Sequence, residues 1–549
     1  MFLPHIQKCF HHIRGDGSVG DIETGASQRS DVETLADILR YHGEFTLAGE
    51  LYRWILAREE RCLGKDHPDT LTTVYCMANV FWRQGKYDEA MEWYRRVLDA
   101  RENSLGKDHP KTLSAVHGMA NVLHKRGKYD EALEWFRRAL TGEEKSLGKD
   151  HPDTLVTVYG MANVLYDQGK YDEALKWFRR ALTGFEKSLG KDHPDTLFTV
   201  SCMASVFRRQ GKYDEAIEWY RRALDARENS LGKDHPDTLS AVRGMANVLY
   251  NQGKYDEALE WFRRALTGRE KSLGKDHPDT LSAVSCMASV FRRQGKYDEA
   301  MGWYRRVLDA RENSLGKDHP KTLSAVHGMA NVFYYQGKYD KALEWFRRAL
   351  TGFEKSLGKD HPDTLSAVYC MANVFWRQGK YDEAMEWYRR VLDARGNSLG
   401  KDHPKTLSAV HGMANVFYCQ GKYDEALEWF RRVLTGVEKS LDKAHPETLT
   451  TVYCMANVLY GQGKYDEALA WYRRVLAGEE KSLGKDHPKT LTTLDSIANL
   501  FRNQGKDDEA LEFLRRALAG QEKSLGKGHP DTLATSQRIE EMLQKQRLE

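Results

Sequence analysis

The sequence predicts an all-α solenoid of about twelve helical hairpins, closed by a C-terminal capping helix. Three observations carry this reading. The string GKYDEA recurs every 42 residues from Gly85 to Gly463, with Lys341 in place of its glutamate in the copy at Gly337, and persists as Gly505-Lys506-Asp507-Asp508-Glu509-Ala510. A period of that length marks a supersecondary unit that cannot bury its apolar face alone and stacks on copies of itself. Within a period, apolar residues fall twice at helical spacing, first Leu71, Val74, Met77, Ala78 and Phe81, then Tyr87, Ala90, Met91, Tyr94, Val97 and Leu98. Breakers separate the runs: Gly85 stands between the two helices, and Gly64 and Pro68 stand in the linker Leu63-Gly64-Lys65-Asp66-His67-Pro68-Asp69-Thr70 between hairpins.

Residues 1–30 are expected to form a short helix and a flexible linker. Phe2, Ile6, Phe10 and Ile13 make an apolar stripe suited to docking on the first repeat, while 15–30 are rich in Gly, Ser and Asp. The array is expected over 31–528. It opens with a worn copy at about 31–62, where Ala36, Gly43, Ala48 and Tyr52 fall in the registers of Ala78, Gly85, Ala90 and Tyr94, and eleven clear copies follow. Gly85 supplies a turn with φ > 0. Ala78 and Ala90 are alanine in every copy, as a close helix crossing demands. Residues 529–549 are expected to form the cap, with Ile539, Met542 and Leu543 inward.

Lys and Arg (83) nearly balance Asp and Glu (80), a net charge of +3, so nucleic acid and anionic membrane are not expected partners. No apolar stretch is long enough to span a bilayer. Cys76, Cys202, Cys286, Cys370 and Cys454 share one register with Gly118, Gly160, Gly244, Gly328 and Gly412, which wants a small side chain rather than a disulfide or zinc. With no signal peptide at the N-terminus, a reducing, cytoplasmic setting is expected.

Candidate chemistry is sparse. A histidine precedes proline once per period from His67 to His529, one ligand per repeat without the i, i+3 or i, i+4 partner a metal needs, so capping is the expected role. Gly15-x-Gly17-x-x-Gly20 has no preceding strand, and no phosphate loop, H-E-x-x-H or G-x-S-x-G occurs. Asp88 and Glu89 complement a helix dipole, and the tryptophans from Trp93 to Trp471 at one register read as packing. No enzyme activity, cofactor or metal is expected.

The copies disagree at few registers. One holds Tyr75, His117, Tyr159, Arg243, Tyr369 and Tyr453. A second holds Trp82, Tyr166, Arg208, Tyr250, Arg292, Tyr334, Trp376, Tyr418, Tyr460 and Arg502, and the next holds Arg83, Arg209, Arg293 and Arg377. A fourth holds Asn79, Asn121, Asn163, Asn247, Asn331, Asn373, Asn415, Asn457 and Asn499, with Ser205 and Ser289 as its exceptions. Positions 75, 79, 82 and 83 lie on one face of the first helix. Free drift would scatter Lys, Glu, Gln and Ala there, whereas the first two registers are dominated by Tyr, Trp, His and Arg, residues of binding hot spots. The stripe is therefore the candidate recognition surface. Arginines in copies five to seven and aromatic residues elsewhere predict acidic segments with an aromatic anchor.

At GKYDEA followed by Trp93-Tyr94-Arg95-Arg96-Val97-Leu98, and at LGKDHPDTL, the chain resembles tetratricopeptide repeats of the kinesin light chain type. The resemblance implies a right-handed superhelix whose concave groove is lined by first helices, with the nine asparagines holding the backbone of an extended peptide. It implies a scaffold or adaptor for protein partners. The thirty N-terminal residues do not supply the heptad segment that binds a motor heavy chain, so that partner is not expected. The copies also resemble the sensor arrays of fungal and bacterial STAND-type ATPases, and Leu3-Pro4-His5-Ile6-Gln7 looks like the joint before such arrays; a stand-alone or truncated sensor is the alternative reading.

Overall fold

The computed structural model describes residues 25–41, 45–441, 443–524, 526–528 and 530–548. Those residues hold 25 helices and no strand. Twelve hairpins run from Gly25–Tyr41 with Phe45–Cys62, through Pro68–Arg83 with Tyr87–Leu105, to Pro488–Asn503 with Asp507–Ser524; Pro530–Leu548 follows. The first helix starts at Gly25, inside the stretch expected to be linker. From Ala26 to His42 no Gly or Pro interrupts it, and Val32, Ala36 and Leu39 bury a helical face. The expected N-terminal docking helix lies outside the described residues.

Each clear hairpin is framed by the same local devices. The Nδ1 of His67 accepts the Asp69 backbone N–H at 3.2 Å, with Pro68 in the first turn where its missing N–H loses nothing. Its copies from His109 to His487 do the same, and the histidine ladder is a set of N-caps. Gly85 turns between helices at φ 76° and Gly64 between hairpins at φ 92°. Asp130 receives the side-chain N–H of Gln168 from the next hairpin at 2.9 Å, a staple repeated at Asp172 and Gln210.

Contact between most hairpins pairs ring and small residue by size. The ring at the Tyr94 register lies against the next copy's Cys/Gly register: Tyr94 meets Gly118, Tyr220 meets Gly244, Tyr304 meets Gly328 and Tyr388 meets Gly412. The copies preceding Cys202, Cys286, Cys370 and Cys454 carry Phe178, Phe262, Phe346 and Phe430 instead, while Phe136 before Gly160 and Tyr52 before Cys76 depart from this pairing. At the tyrosine interfaces the hydroxyl fixes the ring, because Tyr94 donates to Asn79 Oδ1 at 2.8 Å and Tyr220 bonds Ser205 at 2.6 Å, holding it where a neighbouring Cβ would intrude.

Second helices are bridged along the other side by arginine–glutamate pairs. Arg96 reaches Glu60 at 2.6 Å, Arg306 reaches Glu270 at 2.5 Å, and Arg138 pairs with Glu102. Gly396 replaces the glutamate of this register, so Arg432 has no such rung and lies only over Trp429, at 5.5 Å. Gly396→Glu is expected to restore it and stabilise the array by about 0.3–1 kcal/mol, read as a higher melting temperature that fades with salt. A helix propensity gain of up to about 1 kcal/mol adds to this, and Gly396→Ala measures that part separately.

First helices of successive hairpins touch directly, whereas second helices meet across long side chains, so the array curves toward its first helices. The curve closes. His361 Nε2 lies 2.8 Å from the Lys125 carbonyl, His403 Nε2 is 3.3 Å from that of Asp167 and His445 Nε2 is 3.1 Å from that of Arg209, each 236 residues back. Hairpin turns at Gly85, Gly127, Gly169, Gly211 and Gly253 face the His-Pro corners six copies on; a Cβ on Gly127 would come within 2.7 Å of Pro362 Cδ. The solenoid thus completes one superhelical turn in about six hairpins, and consecutive turns stack along a seam.

Candidate binding groove

The variable stripe lies along the inside of this curve. Side chains at the registers of Tyr75, Asn79 and Trp82 are half-buried, and the register of Arg83 is mostly exposed. Several stripe residues reach the next first helix. Tyr159 meets the Cys202 thiol at 3.3 Å, Tyr453 meets the Ser496 hydroxyl at 2.8 Å, and His117 meets the Thr157 hydroxyl at 3.1 Å. The two outer registers form a second ladder. Arg209 donates to the Tyr166 hydroxyl at 3.2 Å, Arg293 to that of Tyr250 at 3.2 Å and Arg377 to that of Tyr334 at 3.4 Å. The same spacing pairs Asn503 with Tyr460, and His124 with Asp167 at 2.7 Å. Variation at these two registers is therefore paired from one copy to the next.

Asparagines of the stripe are partly engaged already. Asn79 and Asn163 donate to the carbonyls of Tyr75 and Tyr159 at 3.1 and 3.2 Å, and Asn331 to that of His327 at 2.9 Å. Asn79, Asn373 and Asn457 also accept a tyrosine hydroxyl from their own hairpin. Asn331 also meets His327 Nδ1 at 3.2 Å. Asn499 is different: Arg538 of the final helix donates to it at 2.8 Å and pairs with Asp495 at 2.5 Å, so the cap covers the end of the stripe. The remaining asparagines, Asn121, Asn247 and Asn415, share this half-buried register, and Asn415 bonds His411 at 3.1 Å. Arg502 and Tyr418 sit at the exposed and half-buried edges of late copies.

The structure does not bring every candidate together. The aromatic anchors Tyr75, Trp82, Tyr369 and Trp376 sit in copies two and nine, away from the arginines of copies five to seven. Arg83 and Arg377 lie over the rings of Trp82 and Trp376, each at 4.7 Å. Burial pushes the Cys202 thiol up to about 11 and those of Cys370 and Cys454 to about 12, so these are protonated packing groups. Burial lowers His117, His327 and His411 to about 4, leaving them neutral. Among the described residues no group of His, Cys, Asp and Glu is arranged to hold a metal ion, and no helix is long and apolar enough to cross a membrane.

A register missed by sequence reasoning contributes strongly. Arg101, Arg227, Arg269, Arg311 and Arg395 occupy it on the second helix, buried beneath the stripe. Arg269 donates to the Asp279 carbonyl and the Ser240 hydroxyl at 2.8 and 3.0 Å, and Arg311 to the Lys321 carbonyl at 2.7 Å. Burial lowers Arg269, Arg311 and Arg395 to about 10. Other copies carry Glu143, Phe185, Phe353, Val437 or Glu479 there, so comparing copies along the second helix would have exposed this register as variable.

Two of the cavities among the described residues bear on the stripe. One, about 500 Å³, lies at the seam, where Tyr166, Arg208, Arg209 and Arg293 of the early turn face His445 and Lys489 of the later one. The other, about 460 Å³, lies in the groove of copies six to eight beside Arg243, Arg292 and Arg311.

The chain belongs to the tetratricopeptide repeat family, whose model matches it in ten stretches, overlapping from 28–103 through 363–439 and again over 447–523. No curated protein matches it. Among solved structures it is similar to a Podosopora anserina protein described as a kinesin light chain with nearly identical TPR-like repeats. That likeness has 25% identity and a TM-score of 0.32, over 38% of this chain and 97% of that one. A second crystal structure of the same description gives 25% and 0.31, over 38% and 98%. BtubC (BKLC) from P. vanneervenii is 18% identical, with a TM-score of 0.33, over 43% of this chain and 91% of its own.

Proposed function

We propose that the chain is a protein-interaction scaffold that holds extended acidic segments of partner proteins against the first-helix stripe. The observation that carries this is the arginine cluster of copies five to seven. Arg208, Arg209, Arg243, Arg292 and Arg293 form no ion pair with a carboxylate among the described residues, whereas the second-helix arginines of the same copies, Arg222, Arg264 and Arg306, each pair with a glutamate. Unpaired guanidinium groups in a concave, half-buried surface favour carboxylate ligands, which they grip in bidentate fashion. Four contacts of about 2 kcal/mol each suffice for micromolar affinity, so three or four copies can hold one segment.

The test is an array of degenerate acidic peptides, with and without a central Trp or Tyr, probed with the protein and with its Arg208→Glu, Arg209→Glu, Arg292→Glu, Arg293→Glu variant. Binding is expected to fall at least a hundredfold in the variant, an effect of about 3 kcal/mol or more. Equal binding by both proteins would sink the proposal.

A further inference from the structure

Copies five and seven differ from all others by the same linked replacement. Ser201-Cys202-Met203-Ala204-Ser205-Val206-Phe207-Arg208-Arg209 is identical to Ser285-Cys286-Met287-Ala288-Ser289-Val290-Phe291-Arg292-Arg293. Two bulky stripe residues have become serines at the same time as the aromatic register has become arginine. In copy seven the exchange opens the groove cavity of about 460 Å³, with Ser285 and Ser289 on its floor. Both hydroxyls donate to carbonyls one turn back, at 3.0 and 3.1 Å, so they make room and offer lone pairs without pointing a charge inward.

Four cations converge on that space: Arg243, Arg292, Arg311 and Lys321. Arg311 is 7% exposed, and the Nε atoms of Arg243 and Arg292 are buried without a hydrogen-bond partner. Arg243 otherwise meets the Cys286 thiol, and Arg292 meets the Tyr304 hydroxyl and lies over the Tyr335 ring at 4.7 Å, none of them an anion. Asp279 is the acid whose field reaches Lys321, and no ion pair forms between them. The site is thus strongly over-charged as it stands.

We infer that this cavity receives a phosphorylated side chain, phosphoserine or phosphothreonine, carried on the extended segment that the scaffold binds. The inference rests on the proposed scaffold reading and specifies its ligand. A carboxylate brings one charge and two oxygens, which leaves most of the four cations unmatched. A phosphate monoester brings a charge of about −1.5 to −2 and three strong acceptor oxygens on one tetrahedral centre, which guanidinium forks grip in pairs. The cavity is also larger than a carboxylate needs, and Ser285 and Ser289 floor it beside Arg292.

Three degenerate peptide libraries test it, identical except for a fixed central phosphoserine, glutamate or serine. The protein is expected to retain the phosphoserine library at least tenfold better than the glutamate library. Ser285→Tyr, which restores the residue found at Tyr75 and Tyr369 and so suits the fold, is expected to abolish that preference by filling the cavity with every arginine in place. Arg243→Glu with Arg292→Glu is expected to abolish it by charge. If phosphoserine and glutamate libraries bind alike, the phosphate site is overturned while the acidic scaffold stands. If none of the libraries binds, both readings fall. A phosphoserine preference that survives Ser285→Tyr also overturns the site, by placing the phosphate elsewhere.

Discussion

Gly244→Ala is expected to destabilise the array by about 1–3 kcal/mol, more than any surface change of similar size. A Cβ at Gly244 would lie 2.2 Å from Tyr220 Cε1 and 2.6 Å from its Cζ, inside any tolerated contact. The ring cannot withdraw cheaply, because its hydroxyl is tied to Ser205 at 2.6 Å. Gly244→Cys is expected to be worse alone and largely rescued by Tyr220→Phe, which releases the ring and recreates the Phe178–Cys202 pairing of the preceding interface. A double-mutant cycle in urea should report a favourable coupling of about 0.5–3 kcal/mol. Additive single effects would show that the anchored hydroxyl does not hold the Tyr220 ring against position 244. The interface joins copies five and six, so a loss there also loosens the arginine cluster that spans it.

Acid is expected to open the coil. Along the seam, His361, His403 and His445 accept a backbone N–H at Nδ1, so Nε2 carries the proton and donates to a carbonyl of the earlier turn. Protonating Nδ1 removes the cap and adds charge beside existing cations. His319 faces Lys321 and Arg311; His403 faces Lys405 and Arg395, with Asp167 opposite; His487 faces Lys489; and His361 faces Lys405 and Arg126, with Asp363 opposite. Burial holds His319, His403 and His487 at about 4 and lowers His361.

The stacked state therefore binds fewer protons than an open one whose histidines titrate near 6.5. Stability of the stack is full above about 6.5 and falls toward 4, by at most about 1.4 kcal/mol per pH unit for each histidine. Small-angle scattering from pH 7.5 to 4.5 should show a rising radius of gyration before circular dichroism reports helix loss. The His361→Asn, His403→Asn, His445→Asn variant keeps good N-caps but lacks the seam donors. It is expected to be more extended at pH 7.5 and to respond less to acid. A wild-type radius constant across this range would rule the mechanism out.

The two effects bear on binding together. A ligand held in the proposed groove would lie within a closed turn, and the cavity at Arg208 and Arg209 is faced by the turn carrying His445. Loosening the seam should speed association and dissociation at the stripe without altering its side chains.

The sequence by itself determined the hairpin, its caps, its turns and the stripe. These depend on neighbours at most a few residues away or on the adjacent copy, and a 42-residue period prints such relations eleven times over. Gly85 needs its turn, His67 caps its own helix, and positions 75, 79, 82 and 83 share a face because an α-helix has 3.6 residues per turn. The buried arginine register was legible in the same way, at Arg227, Arg269 and Arg311, once second helices are compared as first helices were. Only the tertiary structure decided the seam. Whether His403 meets Asp167 depends on a small rotation per hairpin summed over six of them, a quantity set by side-chain sizes at every interface and written at no single position. It likewise decided that serines and arginines distant in sequence open onto one cavity, because convergence belongs to the curvature of the stack and not to any repeat within it.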